Sequence, residues 1–252
     1  MLNILGIGLR GVRSITLEQL DILKSSDSIY FESYTSISPE NTLDSISALV
    51  GKHIKNADRN LIEQNRTILN DAKNKNVSLI VTGDALSATT HNEIRLEAIN
   101  MGIRVNSYEN ASIITTFPSK AGLFNYKFGN IISLPFICEN FFPLSVYDKI
   151  YKNYINEMHT LLLLDLKDGK TMTPEEAAEI LLKMEKKRNK KLITAETRVI
   201  AGTCISGKDE KLIYTSIGGI LSRHLSGSPS ALILPASINS KEEEFLNIFC
   251  ED

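Results

Sequence analysis

Short aliphatic runs that alternate with segments of helical periodicity constrain this chain more than any single residue does. Residues 2–5, 28–31 and 78–81 are largely apolar and short, as buried strands are. Between them, Leu17, Leu20, Ile22 and Leu23 recur at helical spacing after a cap at Thr16. Ser38-Pro39-Glu40 predicts another helix start, with Pro39 at the first helical position, where no N–H is needed. Residues 59–76 carry Leu61, Ile62, Ile68 and Leu69 on one side of a further helix. Residues 91–101 predict one more, capped by Thr90 and ended by Gly102 in the left-handed conformation, before a strand at 103–105. Such alternation predicts a mainly parallel sheet covered by helices.

The spacing changes at Thr115-Thr116-Phe117-Pro118-Ser119-Lys120, the best candidate for a boundary. Beyond it, strands are expected at 131–134, 161–166, 192–200, 212–215 and 231–234. Thr173-Pro174-Glu175-Glu176 opens the clearest helix. Thr173 can accept from the Glu176 N–H while Glu176 reaches back, and both carboxylates suit the positive end of the helix dipole. That helix ends in Lys186-Lys187-Arg188-Asn189-Lys190-Lys191. The basic run reads either as a solvated end favoured by the dipole or as a docking patch for an acidic or RNA-associated partner. Two α/β domains, residues 1–114 and 115–252, follow from this pattern.

Composition narrows the function classes. Lys and Arg number 28 and Asp and Glu 30, a formal net charge of -2, so no general field draws in a polyanion. Direct nucleic-acid binding is therefore not expected. The three cysteines, Cys138, Cys204 and Cys250, are far apart and form no CxxC pair, which supports neither a disulfide framework nor a zinc site. The apolar start is short, broken by Gly6, Gly8 and Arg10, and reads as a first strand instead of a signal peptide. The run 161–164 falls far short of the ~20 residues of a membrane span. A soluble, reducing, cytoplasmic setting is expected.

Three polar loops fall just after strands, where open α/β sheets collect ligands. Gly6-Ile7-Gly8-Leu9-Arg10-Gly11 matches GxGxxG, and Glu32 closes the next strand, a superficial dinucleotide fingerprint. In that fold the helix opens within the glycines, so that its N–H groups face the pyrophosphate. Here Val12-Arg13-Ser14-Ile15 intervene before Thr16, which argues against it. The glycines serve either a tight turn or close backbone approach to a ligand. The second loop, residues 82–91, holds Asp84, four hydroxyls and His91; it is either a helix-entry loop with His91 exposed or a ligand site. The third is Asn110-Ala111-Ser112-Ile113. With Arg10 the one basic side chain in these loops, an adenosine-like ligand held by backbone groups fits better than a phosphate cradle.

The ordered set of GIGL at 6–9, IYFESYTS at 29–36, TGDALSATTH at 82–91 and ENASI at 109–113 resembles a known family. It is similar to the diphthamide-biosynthesis branch of the tetrapyrrole-methylase-like, S-adenosylmethionine-dependent methyltransferases. The likeness continues through Phe128-Gly129 and residues 142–150, 159–165 and 172–177. The resemblance implies two α/β domains, a homodimer, and S-adenosylmethionine bound in the cleft between the domains. It implies methyl transfer to the amino nitrogen of a 3-amino-3-carboxypropyl-histidine on translation elongation factor 2, trimethylation giving diphthine. A corrin-precursor methyltransferase shares the scaffold and stays an alternative; an NAD-dependent oxidoreductase stays one through the glycine motif.

Position by position, the resemblance places Leu9, Asp84, Ser87, Ser112, Ile113, Leu164, Ala201 and Ser230 at the cofactor. Ser230 stands where relatives often carry His, Ala85 replaces a usual Pro, and Arg10-Gly11-Val12 replaces a more acidic loop. Tyr34-Thr35-Ser36 would line the substrate mouth. His91 and Glu32 are candidate proton acceptors or structural groups, and no catalytic residue is assigned.

Overall fold

Strands that are buried on both faces must lie inside a sheet, and β1 (Leu2–Gly6) and β4 (Val77–Val81) are buried at every position. In the computed structural model, which describes residues 1–63, 66–167 and 169–251, the two pair in parallel at the middle of a five-stranded sheet. This sheet belongs to the first of two compact units, Met1–Ile113. Its other elements are α1 (Leu17–Ser25), β2 (Ser28–Glu32), α2 (Thr42–Val50), β3 (Lys55–Ala57), α3 (Arg59–Glu63), α4 (Thr67–Asn74), α5 (His91–Asn100) and β5 (Val105–Tyr108). All strands run parallel in the order β3-β2-β4-β1-β5. Because side chains alternate along a strand, Leu2 and Ile4 join Ile68, Leu69 and Ile94 in one core, while Leu5 and Ile7 join Leu23 and Ile46 in another.

Several details differ from expectation. The helix expected at Pro39 starts at Thr42, because the Thr42 hydroxyl and N–H both donate to the Pro39 carbonyl, and left-handed Asn41 precedes the first turn. The strand expected at 103–105 begins at Val105; the Ile103 N–H closes onto the Ala98 carbonyl at the end of α5, past left-handed Gly102. The helix expected over 59–76 comprises α3 and α4, with positions 64 and 65 outside the described residues. Edge strand β3, mostly polar, has no apolar run to announce it.

The segment read as a boundary folds as α6 (Ile113–Lys120), and the compact units divide at Ile113 and Ile114. The second unit contains β6 (Ile132–Leu134), α7 (Ser145–Ile155), β7 (Thr160–Leu164), β8 (Leu166–Lys167), β9 (Lys170–Thr171), α8 (Pro174–Arg188), β10 (Arg198–Thr203), β11 (Lys211–Ser216), α9 (Ile217–Leu221), β12 (Ser230–Leu234) and α10 (Ser240–Leu246). Its main sheet has the order β11-β10-β12-β7-β6, antiparallel except for β6 with β7. The strand expected at 192–200 starts only at Arg198, since 192–194 give their N–H groups to Glu185 and Thr197 side chains. The capping box at Thr173 forms as expected, with Thr173 N–H donating to Glu176 at 3.0 Å and Glu176 N–H to Thr173 at 3.2 Å. No helix among the described residues is long and apolar enough to cross a membrane.

A buried polar cluster fastens α10 in the second unit. Glu242 accepts from Phe124 N–H, Asn239 N–H, His159 Nε2 and the Lys127 ammonium. His159 Nδ1 accepts from Ala236 N–H at 3.0 Å, which fixes the proton on Nε2. Burial raises the Glu242 carboxyl, but Lys127, the two backbone donors and His159 outweigh it and bring it down to about 2. Burial lowers His159 below its ordinary value more than Glu242 raises it. Both groups bind fewer protons folded than unfolded, so stability falls with pH, first below the ordinary 6.5 of His159 and again between 4.5 and about 2 for Glu242. Urea unfolding from neutral pH into acid should show this two-step loss, and Glu242→Gln should flatten its lower limb. An unchanged acid limb in that variant would refute the assignment.

Candidate functional site

In the first unit, Gly6 pairs with Val81, so β1 and β4 end level and release their loops at the same edge of the sheet. The loops are then sewn together by backbone. Ile7 N–H donates to Val81 O, and Gly8 and Gly83 exchange two bonds of 3.0 and 2.9 Å. A Cβ on Gly6 would lie 2.6 Å from the Gly83 carbonyl, and one on left-handed Gly8 would lie 2.7 Å from Asn110 Oδ1. Of the two roles open to these glycines, Gly6 and Gly8 thus serve loop-to-loop packing: protein atoms occupy the space their side chains would need. Gly11 opens a 3-10 turn, Gly11–Ser14, and α1 begins only at Leu17 behind a capping box of Thr16 and Gln19. No α-helix opens within the glycines, as the spacing predicts, so the N-terminus of α1 is not presented there as in a dinucleotide fold.

Gln19, Asn110 and Asp84 wire the loops further. Buried Gln19 donates from Nε2 to Gly6 O at 2.7 Å and to Glu109 O at 3.4 Å, while Oε1 accepts from Asn110 Nδ2 at 3.3 Å. Asn110 Nδ2 also donates to Ser14 O at 2.9 Å. Asp84 Oδ1 accepts from Leu86 N–H at 3.1 Å and Ser87 Oγ at 2.7 Å, and Oδ2 accepts from Asn110 N–H at 3.2 Å. Hydrogen bonds to an ionised group contribute about 1.5–3 kcal/mol each when buried, less at a half-exposed site such as this. Sequence reading missed Gln19 and the Asn110 side chain, although Thr16 with Gln19 three residues on is a capping-box signal.

A cofactor carrying hydroxyl or ammonium donors fits these residues. A carboxylate offers about four acceptor positions, and protein donors to Asp84 occupy three of them. Ser87 spends its proton on Asp84 and keeps its lone pairs. Leu9 and Ile113 are half-buried apolar neighbours of the same loops, and Ser112 is buried just before α6. The structure brings Leu9, Asp84, Ser87, Ser112 and Ile113 to one sheet edge.

His91 is fully buried and not exposed. Thr90 holds the N-cap position of α5 as expected but makes no side-chain cap bond; Thr89 Oγ1 accepts from His91 N–H at 2.9 Å instead. The same oxygen meets His91 Nδ1, and His91 Nε2 lies 3.9 Å from Oε2 of buried Glu32. Glu32 in turn accepts from the N–H groups of Tyr34 and Thr35 and from the Thr35 hydroxyl.

In the second unit, Leu164 is the half-buried last residue of β7. Ala201 lies buried in the middle of β10 with its side chain in the apolar core. Ser230 opens β12 and donates from Oγ to Gly227 O at 3.1 Å. In the basic run, Lys187 lies over the Phe142 ring at 4.3 Å, Lys190 over Tyr151 at 5.6 Å, and Arg188 pairs with Asp148 at 2.6 Å. These contacts give much of the run an intramolecular role.

Comparison with known proteins gives a consistent result. Residues 1–220 match the model of the Tetrapyrrole (Corrin/Porphyrin) Methylases. The chain is 43% identical to a diphthine synthase of Thermoplasma acidophilum, across 100% of this chain and 96% of that one. It is 33% identical to one of Methanococcus aeolicus, across 100% and 99%. A crystal structure of a diphthine synthase is similar with a TM-score of 0.89 at 26% identity, covering 99% of this chain and 96% of that chain.

Gly8→Ala and Gly102→Ala separate packing from backbone strain. Both positions are left-handed, at φ 65 and 73, but nothing lies within 4 Å of a Cβ at Gly102. Gly102→Ala should cost the left-handed penalty alone, about 1–2 kcal/mol, and Gly8→Ala an added ~1–3 kcal/mol for overpacking. Equal losses in urea unfolding would contradict the packing role of Gly8.

Proposed function

We infer the function of this chain from one premise: it belongs to the tetrapyrrole (corrin/porphyrin) methylase family, among its diphthine synthases. It transfers methyl groups from S-adenosylmethionine to the amino nitrogen of the 3-amino-3-carboxypropyl-histidine of translation elongation factor 2, trimethylation giving diphthine. The observation that carries this reading is 43% identity to a diphthine synthase over the whole chain. That identity favours the diphthamide substrate over a corrin precursor. The distance from the glycines to the start of α1 weighs against NAD.

Asp84, Ser87, Leu9, Ser112 and Ile113 hold the cofactor, and the resemblance adds Leu164, Ala201 and Ser230. Asp84 accepts from hydroxyl or ammonium groups and favours a cationic ligand, while Leu9, Ile113 and Leu164 supply apolar walls. When bound, S-adenosylmethionine supplies an electrophilic methyl group on a cationic sulfur. The protein's task is to hold an unprotonated amine in line with that carbon, so orientation carries most of the rate effect. Tyr34-Thr35-Ser36 line the substrate mouth, with Glu32 accepting from the N–H groups of Tyr34 and Thr35. A cytoplasmic homodimer is the assembly and setting that go with this reading.

Incubation with isotope-labelled S-adenosylmethionine and elongation factor 2 carrying the aminocarboxypropyl-histidine should place methyl groups on that residue by mass spectrometry. An unlabelled histidine would sink the reading. In a thermal-shift comparison, S-adenosylhomocysteine should raise the melting temperature and NADH should not, because only a ligand of the native state stabilises it.

A further inference from the structure

We propose that Thr89, His91 and Glu32 form a proton relay through which the substrate amine loses its proton before each methyl transfer. The inference rests on the reaction assigned above. It starts from a hydroxyl, an imidazole and a carboxylate in series: Thr89 Oγ1 meets His91 Nδ1, and His91 Nε2 faces Glu32 Oε2 at 3.9 Å. In this order a carboxylate orients an imidazole and faces the imidazolium that forms when a hydroxyl proton is passed to it. The 3.9 Å separation is an ion-pair distance and not a hydrogen bond; catalytic contacts of this kind tighten when the substrate binds.

Three features favour a relay over a purely structural contact. His91 and Glu32 are 0% and 1% exposed, whereas Thr89 is half-buried, so the series opens at one end. That end lies on the loop that carries Asp84 and Ser87, just past the carboxyl end of β4. Finally, burying a carboxylate against an imidazole costs more than an apolar pair of similar volume, which a merely structural contact would not require. The ionisable group facing His91 from β2 is Glu32, and Thr89 faces it from the loop. Glu32 is faced by the backbone N–H groups of Tyr34 and Thr35 and by the Thr35 hydroxyl.

The proton balance closes. Before each transfer the ammonium gives one proton to Thr89 Oγ1 as the Thr89 hydroxyl proton moves to His91 Nδ1. The freed nitrogen lone pair then takes the donor's methyl carbon, and the carbon–sulfur electron pair stays on sulfur. His91 returns its proton to water through Thr89 before the next cycle. Three methyl groups thus replace three protons, and the nitrogen, neutral when it attacks, ends each cycle with the single positive charge it began with. Thr89 touches the substrate and is the catalytic residue; His91 and Glu32 are positioning residues.

Thr89→Val, Thr89→Ser and Glu32→Gln test the relay in the full-length protein, from about pH 6 to 10. Thr89→Val should lower kcat by about 10²–10⁴ near neutrality, with KM and S-adenosylhomocysteine affinity unchanged. Its deficit should shrink about tenfold per pH unit as the amine deprotonates unaided. Glu32→Gln should follow the same profile with a smaller deficit, and Thr89→Ser should restore most of the rate. A Val variant with near-normal kcat, with the same fold-loss at every pH, or with lost S-adenosylhomocysteine binding would overturn the relay. So would a Ser variant as slow as Val. A wild type that leaves the factor unmethylated would overturn the assigned reaction and the relay with it, whereas an active wild type beside a normal Val variant would overturn the relay alone.

Discussion

Two backbone hydrogen bonds between Gly8 and Gly83 set the distance between the loops that follow β1 and β4, and the rest of this sheet edge is built around that distance. They form only because positions 6 and 8 lack side chains: the Gly83 carbonyl and Asn110 Oδ1 already fill the space a Cβ would take. With the loops joined, Asn110 sits where its side chain reaches Ser14 and its N–H reaches Asp84. Gln19 meets Gly6 and Glu109 from the start of α1. Three loops thereby become one polar surface whose shape is held by protein–protein bonds. Such preorganisation suits an enzyme that works chiefly by orientation, since the geometry does not have to be assembled at the moment of reaction.

The glycine motif illustrates how one pattern serves two physical ends. In dinucleotide folds the glycines let backbone approach a pyrophosphate and open a helix toward it. Here the same spacing lets one loop approach another, and the 3-10 turn Gly11–Ser14 carries the chain away before α1 begins. The distinction was legible in four residues, Val12 to Ile15, and in the cap at Thr16. What the sequence could not supply was the partner that fills each vacated Cβ position, because Gly83 and Asn110 are far away along the chain and are brought close only by the parallel pairing of β1 with β4 and β5.

The same division runs through the molecule. Buried strands announce themselves by composition, so β1, β2, β4, β7 and β12 were readable to within a residue or two, as were the cap at Thr16 and the capping box at Thr173. Edge strand β3 and the β8–β9 hairpin were not, since their residues are mostly exposed and their place is set by pairing alone. The late start of α2 depends on Thr42, whose hydroxyl and N–H both donate to the Pro39 carbonyl, and that of β10 on how Glu185 and Thr197 take up the N–H groups before it. The loops of the candidate site were legible as polar stretches after strands. The burial of His91 beside Glu32 was not, because a histidine at a helix start reads as exposed until the fold places a carboxylate beneath it.

The assignment of the cofactor to the three-loop surface is tested most directly by a backbone-amide NMR titration with S-adenosylhomocysteine. Within the first unit, the largest shifts should fall on Leu9, on the loop of Asp84 and Ser87, and on Ser112 and Ile113. Residues of α4 and of β3, away from those loops in sequence, should stay still. Saturable binding that leaves Leu9, Asp84, Ser87 and Ser112 unmoved, or no binding at all, would contradict it.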